Sequence, residues 1–88
     1  MIIPRINDII KHERFMDLAF LVQKPAIISK TGKLKLRGLW VNQGFVETQI
    51  IDHNRKRLTI MPDDIDKWLV CLDPHLKCVR DAKWRKLK

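Results

Sequence analysis

The chain has 88 residues and a formal net charge of +8, from 18 Lys and Arg against 10 Asp and Glu. That length allows one domain, and an apolar share of 45% is enough for a real core, which excludes a disordered chain. The basic excess favours a polyanionic partner, RNA, DNA or an acidic protein surface; a merely solvated basic surface is the plain alternative.

Residues 1–7 carry Ile2, Ile3, Pro4 and Ile6, and Pro4 makes them a lead-in or an edge, because it cannot donate to a ladder. Asp8 to His12 reads as a short strand, followed by a charged corner that holds Phe15 and Met16. Leu18 to Lys24 is dense in β-formers and reads as a strand buried on both faces; a helix there is stopped by Pro25 after too few turns, and Ala26 to Ile28 is read as resuming the strand beyond a proline bend. Ser29-Lys30-Thr31-Gly32 is a turn signal between strand-like runs, which predicts a hairpin. Strands follow over Lys33–Asn42, Phe45–Ile51 and Arg57–Met61, the last two separated by a polar loop. Pro62 and the acidic residues after it predict a one-turn helix near 62–67. Trp68 to Leu72 is strand-like. Asp73 and Pro74 then suit the start of a short C-terminal helix over about 74–86, with Leu76, Val79, Ala82, Lys83 and Leu87 roughly along one side.

The predicted class is mainly β: one domain over 1–88 and a small barrel over about 6–72 with a helical tail. In element order, and in the run RLTIMPDDIDKWLV, the chain resembles SH3-like barrels, which finish on a strand, a one-turn helix and a strand. In general character it is similar to the small basic accessory proteins of tailed bacteriophages, a likeness that implies the host cytoplasm as its setting. No run approaches the ~20 apolar residues of a membrane span. Arg5 and Asp8 interrupt the N-terminal apolar residues, so no signal peptide is expected. The expectation is a cytoplasmic chain with reduced thiols at Cys71 and Cys78, the disulfide staying open because it depends on geometry.

The stretch KTGKLKLRGLWVNQG holds the candidate site. A regular strand over Lys33–Asn42 puts Leu39 and Val41 outside with the cations. A bulge at Gly38 reverses the alternation, so that Leu34, Leu36, Leu39 and Val41 all face the core. Lys33, Lys35, Arg37, Trp40 and Asn42 then face outward, an aromatic among cations. Such a surface suits single-stranded nucleic acid, with bases stacked on the ring and phosphates on Lys and Arg. Arg55, Lys56 and Arg57, at a loop tip, extend it. The bland alternative buries Trp40 in the barrel and leaves the lysines to water.

Cys71, His75 and Cys78 form the only metal-like spacing, but zinc needs a fourth ligand, and two packing residues explain the cysteines as well. No triad spacing, HExxH or phosphate-cradling glycine loop is present, so the chain reads as non-enzymatic, with no cofactor and no metal. The leading expectation is a nucleic-acid-binding module. A protein-interaction module, a host-factor binder if the phage likeness holds, is the alternative, acting through Phe15, Met16, Phe45, Trp68 and Trp84. Self-assembly through an open edge near Ile2–Ile6 is a third reading.

Overall fold

Short β-former runs broken by Pro, Gly and polar clusters are too brief for stable helices and satisfy their backbone groups by pairing with one another. A computed structural model describes residues 1–88. It forms an antiparallel sheet of eight strands: β1 (Ile9–His12), β2 (Leu18–Val22), β3 (Ile27–Ile28), β4 (Leu34–Gln43), β5 (Thr48–Ile50), β6 (Lys56–Ile60), β7 (Trp68–Cys71) and β8 (Trp84–Lys86). The strands run in the order β3-β4-β2-β1-β7-β8, with β5 and β6 also paired to β4, and the sheet does not close. No helix is long and apolar enough to cross a membrane.

The long strand β4 organises the rest. Its second half pairs with β2, from Val22 opposite Gly38 to Leu18 opposite Asn42. Its first half pairs with β6, from Leu34 opposite Ile60 to Gly38 opposite Lys56. The pairing passes through Gly38 without an extra residue, so the expected bulge is absent and side chains alternate along all of β4. Gly38 is required for another reason. A Cβ there would overlap the Leu21 carbonyl oxygen and approach Phe20 Cε2 to 3.1 Å.

Regular alternation through β4 is tolerated because both faces of the sheet carry apolar cores. One core holds Ile10, Phe20, Val22, Leu34, Leu36, Ile60, Ile65, Trp68, Val70 and Leu87. The other, on the opposite face, holds Ile9, Ala19, Leu21, Val41, Cys71 and Cys78. This explains why LAFLV reads as buried on both sides: Phe20 and Val22 enter one core, Ala19 and Leu21 the other.

Residues 72–83 cover the second core, and here the predicted C-terminal helix does not form. His75–Lys77 makes one 3₁₀ turn, and Trp84–Lys86 pairs with β7 as a strand. The competing interactions are tertiary. The Cys78 carbonyl, which a helix would spend on its own backbone, accepts Gln43 Nε2 at 2.6 Å and the Thr48 hydroxyl. The amide of Ala82 donates instead to Val79, closing a tight turn at 2.9 Å. Cys71 and Cys78, expected as reduced thiols, are joined in a disulfide. The predicted turn over Pro62–Lys67 is a 3₁₀ helix that buries Ile65. Of the strand expected over Phe45–Ile51 only Thr48–Ile50 pairs, leaving Phe45 and Val46 in an exposed turn.

Two outcomes follow. Gly38→Ala should lower stability by on the order of 3 kcal/mol, read from the urea midpoint; a loss below about 0.5 kcal/mol would show that β4 and β2 can part at that point. Reduction of the disulfide should cost roughly 2 kcal/mol, the scale for so short a loop, with alkylation of both thiols only after reductant. Equal midpoints with and without reductant contradict the crosslink's role.

Candidate nucleic-acid interface

The β4–β6 register fixes the candidate surface. Lys35 lies opposite Thr59 and Arg37 opposite Arg57, so these four side chains share the face turned away from Leu34, Leu36 and Ile60. On the other edge of β4, Ile27 of β3 lies opposite Lys35. Between β2 and β3 the chain bulges along the same edge of β4, and the amides of Gln23 and Lys24 both donate to the Arg37 carbonyl at 2.9 and 3.3 Å. Pro25 follows with no amide to donate. The result is a groove of about 630 Å³, with Lys24, Pro25 and Ile27 along one side and Lys35, Arg37 and Arg57 among its lining.

The groove's charge is one-sided. Its lining contains four cations and no carboxylate. The four ion pairs in the structure engage Lys56, Lys67, Arg80 and Lys86, and none of them reaches the groove. Arg37 and Arg57 are direct cross-strand partners. Like charges so placed cost a sheet a few tenths of a kcal/mol to about 1 kcal/mol, and neither arginine has a carboxylate partner. An anion bound in the groove would offset that cost.

The sequence-derived residues divide. Lys35, Arg37 and Arg57 meet in the groove. Lys33, half-buried before β4, donates its amide to the Ser29 hydroxyl at 3.0 Å in the turn that Gly32 closes with a φ of 85°. Arg55 stands beside the groove, its Nε on Gln23 Oε1 at 3.2 Å. Lys56 lies opposite Gly38, out of step with Arg57, and pairs with Asp52 at 3.5 Å. That loop carboxylate is held below its ordinary pKa, first by the Asn54 amide and then by Lys56. Trp40 is not on the basic face. With no bulge before it, its side chain falls on the side of Leu34 and Leu36, half-buried and edge-on to Phe20 at 5.1 Å between centroids.

The other tryptophans are also occupied. Trp68 is buried, and Trp84 is half-buried beneath the Lys11 ammonium, 4.5 Å from its ring. Burial lowers the Lys11 pKa from the ordinary lysine value, and the Asp17 charge opposes the shift. Of the residues expected to serve a protein partner, Phe15, Met16 and Phe45 are exposed and the two tryptophans are not. The cysteines expected as packing residues or ligands are bonded to each other. Lys24 is the groove cation that sequence reasoning missed; its one signal is its place before Pro25, which holds it extended at the point where the strand loses an amide.

No protein-family model, no curated protein and no solved structure matches the chain. The functional reading therefore rests on the groove's geometry and charge.

The opposed arginines of β4 and β6 predict an unusual stability effect. Arg37→Gln should leave the protein as stable as before, or more stable by up to about 1 kcal/mol at low salt, and the gain should shrink as salt screens the pair. Thermal melts at two ionic strengths test this; a clear loss of stability would mean that Arg37 serves the fold.

Proposed function

We propose that this chain is a small basic binding module of SH3-like architecture that holds nucleic acid, RNA or DNA, by its phosphates in the groove of Lys24, Lys35, Arg37 and Arg57. The observation that carries this reading is the directly opposed Arg37–Arg57 pair in a groove with no carboxylate. The architectural part is supported by the strand sequence β7-β1-β2-β4-β6 within the sheet, and by the 3₁₀ turn that links β6 to β7.

The mechanism is charge neutralisation with release of counterions from the polyanion, and it involves little base readout. Arg forks suit phosphate oxygens in two-point contacts, while Lys24 and Lys35 act as point charges. Stacking on Trp40, the mechanism expected from the sequence, has no part in it, because that ring lies on the other side of the sheet. A second reading, docking on another protein, has one observation in its favour: Phe45 and Val46 stand 78% and 90% exposed at the β4–β5 turn.

The test is binding of a fluorescent oligonucleotide by anisotropy across a salt series. Four phosphate contacts should give a slope of log K against log salt of about −2.8 for a single strand and about −3.6 for a duplex. Arg37→Glu with Arg57→Glu should abolish most of the affinity and flatten the slope, while Trp40→Phe should leave both unchanged. Binding that survives the double charge reversal, or that ignores salt, rejects the groove.

A further inference from the structure

We infer that the groove is built for a duplex, gripped along the ridge of one sugar-phosphate strand, and not for a single strand with splayed bases. This rests on the nucleic-acid reading above and narrows its ligand. The first support is the absence of a stacking platform. Single-strand binders gain roughly 1–3 kcal/mol from each base laid on an aromatic ring. No Phe or Trp lines the groove. Trp40 is turned to the opposite face, and the exposed Phe45 lies beyond the far end of β4, its ring already faced by the Arg80 guanidinium at 4.4 Å from the centroid.

The second support is the rigidity and spacing of the cations. Lys35 and Arg37 are alternate residues of one strand, ~7 Å apart along it, and Arg57 is fixed across the ladder from Arg37. Their attachment points on paired strands are fixed, and a fixed array of attachment points suits an anion array that is already ordered. A duplex supplies one, with a charge for every ~3.4 Å of axis along each strand. A single strand would have to be ordered on binding, with no stacking energy to offset the entropy lost.

The third support is the shape of the site. Lys24, Pro25 and Ile27 wall one side of the groove, whereas β6 on the other side has no strand beyond it. A ridge can therefore lie in the groove while the rest of a wide double helix passes over the open β6 edge. Lys33 at one end and Arg55 at the other continue the track along the β4–β6 axis.

The deciding experiment compares 20-base-pair DNA and RNA duplexes with their separated strands, by anisotropy at matched salt, alongside tryptophan emission. The expected result is at least roughly tenfold tighter binding of a duplex of either sugar, no tryptophan quench, and loss of the preference in Arg37→Gln, which keeps the fold. Single strands bound as tightly as duplexes, or a quench that Trp40→Phe removes, would overturn the duplex inference and leave a nucleic-acid groove standing. Failure of both duplexes and both strands to bind would overturn the nucleic-acid reading itself.

Discussion

The Leu21 carbonyl sits where a side chain on residue 38 would have to be, and the fold depends on that close approach. Glycine lets β2 lie against β4 at the residue where β4 also meets β6, with Gly38 opposite Val22 on one edge and Lys56 on the other. Because the register is unbroken there, one alternation rule governs the whole strand. Even-numbered residues from Leu34 to Trp40 face the first core. Odd-numbered residues face the groove at Lys35 and Arg37 and the second core at Val41. One face of a single strand is thus solvent-open and charged at one end and buried and apolar at the other.

That division is made by residues 72–83. Their anchor is Gln43, fully buried, whose Nε2 reaches the Cys78 carbonyl and Sγ and the Val79 carbonyl. Its Oε1 has no partner, a cost of about 1–3 kcal/mol accepted at a point where three acceptors converge. Arg80 adds an outer clasp, its Nε on the Gln43 carbonyl and its guanidinium near Asp17. The exposed ion pair contributes little by itself; the disulfide and the Gln43 bonds hold the segment on the sheet.

Much of the fold was legible because β-former runs and turn residues punctuate the chain: the strands around Ile9, Phe20, Leu36, Leu58 and Val70, the turn closed by Gly32, and the Pro62 turn all fall where local chemistry puts them. The errors share one cause. Local pattern says which residues alternate, but it does not say whether a second layer covers the far face. Leu39 and Val41 look misplaced beside lysines, and a bulge is the local way to bury them; in the folded chain both are buried without one, Val41 within the second core that residues 72–83 cover. The same segment was read as a helix, since its bonds to Gln43 and Thr48 are long-range and leave no local trace. The site inherited the error. Alternation and loop position point to Lys35, Arg37 and Arg57, the same pattern with a bulge puts Trp40 on the wrong face, and Lys24 joins the groove only through the β2–β3 bulge.

The pairing of Ile10 with Val70 has a consequence for how the chain reaches this structure. On one edge β1 pairs with the neighbouring β2, but on its other edge it waits for β7, which lies most of the sequence away. A chain dominated by such distant pairings folds slowly, on the ms–s scale of small β domains, because loop entropy is lost before contacts compensate for it. The β1–β2 hairpin is a local pairing and a part able to assemble early, and the layer over Val41, tied to the sheet through β7 and Gln43, is the part that closes late. Until it closes, the apolar half of the β4 face is bare beside the basic half, and this half-dressed sheet is the species most prone to associate with other chains.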